Sequence, residues 1–350
     1  MSERIVNLPT AIPLQAEIVD RHQRPLRDLR ISVMDRCNFR CPYCMPEDKY
    51  HKDFRFLDSS ERLSFVEILR VARIFAGLGV DKLRITGGEP LLRPGLADLI
   101  GDLSRIDGIR DIALTTNGIL LAQHAAALKA AGLDRVTVSL DSLDDQVFTT
   151  MSGGRGGKHR VLEGIAEAIQ AGLRPIKINA VVKRGVNDHT ALDLAEHFRG
   201  TGVIVRFIEY MDVGTINHWQ QRETVPSADL VHLLSQRWPM QPVERNYHGE
   251  VANRYQFDDG AGEVGFISSV SEPFCGSCTR ARLSSDGQIF TCLFSSRGTD
   301  LKGPLRAGAD DAALREIISH IWQQRTDRYS ELRALQIGTG DKVEMYYIGG

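Results

Sequence analysis

The 350-residue sequence predicts an α/β fold: an incomplete (β/α)6 TIM-like barrel, open along one side, with a smaller C-terminal α+β domain closing the opening. Three observations predict it. Short β-branched runs alternate with helix-like, glycine-terminated stretches over residues 29–211, the rhythm of strand–crossover–strand units in a parallel sheet. Six such units can be counted, short of the eight that close a full barrel. Beyond about residue 215 the rhythm changes to short alternating strands with two helices.

The elements follow in chain order. A polar, proline-punctuated lead, residues 1–27, precedes the first strand, Leu29–Asp35. Ser64 with Glu67 forms a capping box that opens a helix over Phe65–Ala76, closed by Gly77 and Gly79. Strand Lys82–Thr86 leads to a helix with Pro94 in its first turn, running through Ser104. Strand Asp111–Thr116 precedes the Ala/Leu-rich helix Leu120–Ala131, which stops at Gly132. Arg135–Asp141 and Ile176–Val182 are strands, followed by helices Arg160–Ala171 and Thr190–Phe198 that end at Gly172 and Gly200. Val203–Met211 is the sixth strand. The chain therefore divides into an extension (1–27), a partial barrel (28–215) and a C-terminal domain (216–350). The last of these carries helix Ala228–Arg237, strands Arg254–Phe257, Val264–Ser268, Arg280–Ser284 and Gln288–Leu293, and helix Ala312–Gln323. Asp286-Gly287 is a hairpin turn between the last two strands.

Composition narrows the class. Apolar residues are 42% and charged residues 25%, which excludes a disordered or collagen-like chain. With 43 Lys+Arg against 45 Asp+Glu the formal charge is −2, so a generally basic nucleic-acid binder is not expected. No apolar run approaches the ~20 residues that span a bilayer, and the N-terminus lacks a secretion signal's apolar core. A cytoplasmic protein that binds neither nucleic acid nor membrane is expected.

The six cysteines form two groups of three: Cys37, Cys41, Cys44 and Cys275, Cys278, Cys292. A reducing compartment makes clustered cysteines a sign of metal. Three ligands fall short of the four that complete a structural zinc or an iron–sulfur cube, and the same shortfall recurs in both groups. On a four-iron cube it leaves one iron free to bind a small molecule. A zinc loop is the competing reading of the first group. For the second, a three-cysteine zinc completed by His248, His320 or water competes with a cube beside Arg280 and Arg282, whose open iron takes an electron-rich, anionic substrate.

The spacing C-x3-C-x2-C, with Tyr43 before the last cysteine and Gly87-Gly88-Glu89-Pro90 after the next strand, resembles the radical S-adenosylmethionine superfamily. There the open iron chelates the amino and carboxylate groups of S-adenosylmethionine, and the glycines admit close backbone approach. Over about Asp28 to Gly350 the sequence further resembles the GTP 3′,8-cyclase family of molybdenum cofactor biosynthesis. The collinear segments DLRISVMDRCNFRCPYCMP, RITGGEPLLR, TTNG, VSLDS, RFIEYMDVG, FCGSCTRARLSSDG, TCLF and the Gly-Gly ending carry the likeness. It departs at Met34, where Thr is common, and in the unassigned lead.

This resemblance implies two [4Fe-4S] clusters, one on each cysteine trio. It implies S-adenosylmethionine contacts from Gly88, Ser139, Met211 and the backbone around Tyr43. It implies a GTP pocket lined by Arg30, Arg84, Thr115, Lys177, Arg206, Arg280, Ala281 and Arg282, with the Gly349-Gly350 tail reaching in. Forked guanidinium groups suit a triphosphate's paired oxygens. The implied reaction is reductive cleavage of S-adenosylmethionine, loss of the 3′ hydrogen of GTP and closure of C3′ onto C8, with Arg280 or Arg282 assisting. The first step of molybdopterin synthesis follows, its product passing to a pterin-forming synthase, cyclic pyranopterin monophosphate synthase. A reductant such as flavodoxin or ferredoxin and a homodimer are family-level expectations. The competing readings are a peptide or sulfatase maturase with two clusters, and a zinc protein without catalysis.

Overall fold

The computed structural model describes residues 17–336 and 342–349. Its strands are β1 (Asp28–Ser32), β2 (Lys82–Thr86), β3 (Asp111–Thr116), β4 (Arg135–Ser139), β5 (Ile176–Val182), β6 (Ile204–Glu209), β7 (Met240–Val243), β8 (Asn253–Phe257), β9 (Glu263–Ile267), β10 (Arg280–Leu283), β11 (Gln288–Phe290) and β12 (Thr299–Asp300). All belong to one sheet, in the order β12-β11-β10-β1-β2-β3-β4-β5-β6-β9-β8-β7.

The six expected parallel strands form the centre. β10 adds in parallel to the free edge of β1 and β9 to that of β6, so eight neighbouring strands run the same way. Antiparallel pairs then finish each side, β11 and β12 beyond β10, β8 and β7 beyond β9. The order does not return on itself. Instead of forming a separate sheet, the C-terminal strands satisfy the unpaired backbone at both edges of the central six.

Side-chain alternation separates two environments. Leu29 and Ile31, Leu83 and Ile85, Val136 and Val138, and Val205 and Phe207 join the helices in one buried apolar cluster. Intervening residues on the opposite face include the basic Arg30, Arg84, Arg135 and Arg206 beside the apolar Val181 and Ile208, and together they line a lumen of mixed character.

The capping box at Ser64 and Glu67 is present, opening helix Phe65–Ala76. The expected helix at Pro94 differs. Gly95 takes φ 76°, and the helix begins after it, at Leu96, while Pro90–Leu92 forms a separate 3-10 turn. A further helix, Asp145–Met151, is capped by the Asp144 carboxylate, which accepts from the amides of Gln146 and Val147. The described part of the lead, 17–27, folds back with Val19 bridging Pro25. It rests on helix Asp311–Gln323, where the Trp322 indole donates to the Arg24 carbonyl at 3.1 Å. Among the described residues no helix is long and apolar enough to cross a membrane.

Candidate active site

Strand direction places the two cysteine groups. Cys37 lies just beyond the end of β1, whereas Cys278 lies just before the start of β10, which runs parallel to β1. Cys292 follows β11, which runs antiparallel to β10, and so returns to the Cys278 end. The trios therefore occupy opposite ends of one lumen, separated by strands of about 15 Å. All six thiols are free.

At the front, Cys37, Cys41 and Cys44 line one cavity with Gly88, Ser139 and Tyr43. The glycine pair serves the loop itself. A Cβ on Gly88 would sit 2.3 Å from the Arg36 carbonyl oxygen, and one on Gly87 2.4 Å from that of Met34. Without side chains there, Gly88 N–H donates to Met34 and Glu89 N–H to Arg36, seating the turn against the cysteine loop. The Glu89 carboxylate is buried and accepts from Thr116 Oγ1 at 2.7 Å and from the amides of Asn117 and Leu91. Burial outweighs these donors and lifts its pKa to about 7. Tyr43 donates its hydroxyl to Asp141 at 2.8 Å, and Val181 N–H donates to the other oxygen. Burial raises Asp141 to about 6. Burial also pushes the Cys37 thiol up to about 11 and the Cys41 and Cys44 thiols upward.

The lumen is basic. Arg282, Arg30, Arg84, Ala113 and Arg135 stand in register across five neighbouring strands. Arg135 is paired with Asp111. Among the described residues Arg30, Arg84, Lys177, Arg206, Arg280 and Arg282 form no ion pair with a carboxylate. Neutral groups hold some of them: Arg84 donates to Thr115 and Thr137 hydroxyls at 3.1 and 3.3 Å, and Arg206 to Asn179 at 3.0 Å. Gly265 opposite Arg206 leaves room for that side chain, since a Cβ would lie 3.1 Å from its Cγ. Burial and mutual repulsion lower the pKa values of Arg30, Arg84, Arg206 and Arg282, and bring Lys177 down to about 8. The guanidinium groups remain charged. A buried cationic cluster of this kind invites a polyanion.

At the far end, Cys275, Cys278 and Cys292 line the same cavity as the arginines. Burial alone would raise the Cys278 thiol, but Arg280 and Arg325 overcome it and draw it down to about 6. Cys292, facing Asp327, is pushed up to about 12 by burial first. Both His248 and His320 are exposed, and neither lines the cavity. Among the described residues no three His, Cys, Asp or Glu side chains converge as one metal ion requires.

The other sequence candidates fall as follows. Arg30, Arg84, Thr115, Arg206, Arg280 and Arg282 line the lumen. Lys177 is on the same face of β5 as Asn179 but lies outside the cavity lining. Ala281 points its methyl into the apolar cluster, leaving only backbone for a ligand. Met211 lines the lumen rather than the cavity at the first trio. Gly349 meets Arg282, which donates to its carbonyl and to that of Ile348. Gly350 lies outside the described residues. Tyr43, Thr115, Asn179, Val181, Ile208 and Met345 line both cavities, which therefore abut. Sequence reasoning missed Lys82 and Arg135, which also line the lumen. Strand alternation was the available signal, Lys82 being two residues before Arg84.

Comparison with known proteins adds lineage. Residues 31–198 match the radical SAM superfamily model, and residues 203–331 match the Molybdenum Cofactor Synthesis C model. A GTP 3′,8-cyclase of Xanthomonas axonopodis pv. citri is 54% identical over 96% of this chain and 100% of its own. One from Acidothermus cellulolyticus is 49% identical over 95% and 99%, and one from Staphylococcus epidermidis 45% identical over 95% and 99%. Among solved structures, Streptococcus suis SuiB bound to S-adenosylmethionine aligns with a TM-score of 0.60 at 16% identity. It covers 89% of this chain and 69% of that one, a likeness of fold.

Proposed function

The chain belongs to the GTP 3′,8-cyclase family, and on that premise we propose that it converts GTP to (8S)-3′,8-cyclo-7,8-dihydroguanosine 5′-triphosphate, opening molybdopterin synthesis. The observation that carries the reading is the arginine-lined lumen bounded by three free thiols at each end.

Both donor sets fit a cluster. Each trio lines a cavity, and at the first trio the lone carboxylate of the lining, Asp141, is already engaged by Tyr43 and Val181. Cys37, Cys41 and Cys44 would hold one [4Fe-4S] cluster and Cys275, Cys278 and Cys292 a second. When bound, the first cluster with S-adenosylmethionine supplies one-electron radical chemistry.

The protein's own work is binding and orientation. Gly88, Ser139 and Tyr43 bound the space for S-adenosylmethionine, and Met211 meets the same cofactor from the lumen side. Arg30, Arg84 and Arg206, backed by Lys177, hold the triphosphate, and Thr115 and the Ala281 backbone add polar contacts. Arg280 and Arg282 stand between the triphosphate and the second trio, where they stabilise negative charge on the guanine during closure. The tail, through Gly349, limits water and fixes the ribose. Orientation matters because a displaced 3′ carbon exposes a different hydrogen to abstraction.

The reading extends to a division into residues 1–27, 28–215 and 216–350, a cytoplasmic homodimer, a flavodoxin- or ferredoxin-type reductant, and transfer of product to a pterin-forming synthase. Its test is anaerobic incubation with dithionite, S-adenosylmethionine and GTP. Formation of 5′-deoxyadenosine that depends on GTP supports it; formation indifferent to GTP would reassign the substrate. About eight irons per chain support two cubes, whereas zinc without sulfide sinks the assignment.

A further inference from the structure

The segment before the barrel reaches the second cysteine group. Asp20, 2% exposed, accepts from the amides of His22 and Arg24 and from the Arg24 side chain at 2.6 Å. Arg24, equally buried, donates to the carbonyls of Cys275 and Asp327, both at 2.8 Å. Arg325, 4% exposed, donates to the Cys278 carbonyl at 2.8 Å and to Cys278 Sγ at 3.0 Å, with Asp20 3.5 Å from its Nη1. Its guanidinium lies over the Trp322 ring, and its Nε faces Asp327 at 3.3 Å. Arg21 N–H donates to the Arg325 carbonyl, closing the clasp.

Two buried arginines thus share one fully buried carboxylate, and both face the cysteine pair. Arg280 reaches Cys278 Sγ as well, at 3.2 Å, and both arginines line the lumen, but among the described residues only Arg325 of the two is paired with carboxylates. Arg325 is held on its other side by Asp20 and Asp327, which fix its guanidinium against the sulfur. Hydrogen bonds and positive charge at a cluster thiolate favour the reduced, more negative cluster.

We propose that Arg325 and its counter-ion Asp20 are positioning residues that set the reduction potential of a second iron–sulfur cluster, with the lead segment as the clasp that holds them. The proposal rests on the two-cluster reading above. Asp20 tempers the field of Arg325, so removing either one shifts the potential, and in opposite directions.

The test uses the full chain with Cys37, Cys41 and Cys44 replaced by serine, so that any remaining cluster belongs to the second trio. Iron and sulfide analysis comes first: about four irons support the two-cluster reading, and none overturns both it and the proposal. Redox titration followed by electron paramagnetic resonance then compares Arg325→Gln, Arg325→Lys and Asp20→Asn. Arg325→Gln is expected to disfavour the reduced state about tenfold, about 59 mV for one electron, and Arg325→Lys less. Asp20→Asn is expected to move the potential upward. A cluster present at full iron content whose potential does not move, or moves downward in Asp20→Asn, overturns the proposal while leaving the two-cluster reading intact. Should Arg325→Gln fail to assemble a cluster, the sign found for Asp20→Asn decides.

Discussion

Arg282 donates from one guanidinium nitrogen to the backbone carbonyl of Gly349, joining the strand that follows Cys278 to the C-terminal tail. The tail is anchored further out, where the Glu344 carboxylate accepts from the Thr215 and Ile216 amides at 2.9 and 3.2 Å. Between these two anchors Met345 lines both cavities and Tyr346 the one at the first trio. Gly349 takes φ 68°, and a Cβ there would lie 2.1 Å from Thr86 Cγ2.

Gly349→Ala is therefore expected to displace the tail and lower turnover on the order of 100-fold, because small misplacements near reacting atoms are costly. Calorimetry is expected to place the unfolding temperature within about 2 °C of the parent, the displacement staying local to the tail. A fall of both together would make the tail a stability element.

Among the described residues Arg84 has no carboxylate partner and donates to threonine hydroxyls. Arg84→Ala is expected to weaken GTP binding by roughly 10- to 100-fold, about 1.5–3 kcal/mol for lost bonds to a charged group. Calorimetric titration with guanosine is expected to show no comparable change, since nothing then occupies the triphosphate side. Equal losses for both ligands would place Arg84 at the base instead.

Lys177 carries a pH dependence. Burial first, then Arg206 and Arg135, lower its pKa to about 8. A bound triphosphate stabilises the charged ammonium and raises that value. Between about pH 8 and 10 the free protein has lost the proton and the complex keeps it, so binding takes up protons and weakens as pH rises through this range. Titrations in buffers of different ionisation enthalpy measure the uptake, and Lys177→Gln is expected to abolish it. Proton release on binding would contradict the assignment.

Cys275→Ser separates the two ends of the lumen. It is expected to remove about half the iron, to leave basal cleavage of S-adenosylmethionine largely intact and to abolish cyclisation of GTP. Loss of cleavage as well would make the second trio a scaffold for the first.

Local chemistry made much of this readable in the sequence. The six central strands, the Ser64 capping box and the Asp286-Gly287 turn are dictated by neighbouring residues, and all three recur in the fold. Cysteine spacing likewise identified both trios. Partners distant in the chain left no such trace. That β9 and β10 extend the sheet at opposite edges follows from which backbone edges are left open, not from the strands themselves. The lead was unreadable for the same reason: Asp20 and Arg24 look like surface charges until helix Asp311–Gln323 and Arg325 bury them. The orientations of Ala281 and Met211 likewise depend on the assembled sheet. Alternation sends the Ala281 methyl away from the lumen, and Met211 lies along the lumen instead of beside the first trio.

The central claim is that GTP lies between the two cysteine trios with its ribose 3′ carbon presented to the first. Anaerobic incubation of the iron-loaded protein with dithionite, S-adenosylmethionine and GTP deuterated at the 3′ position tests it most directly. Mass spectrometry is expected to find one deuterium in 5′-deoxyadenosine and a cyclised nucleotide lacking it. Unlabelled 5′-deoxyadenosine, with the deuterium still on the nucleotide, would contradict the account.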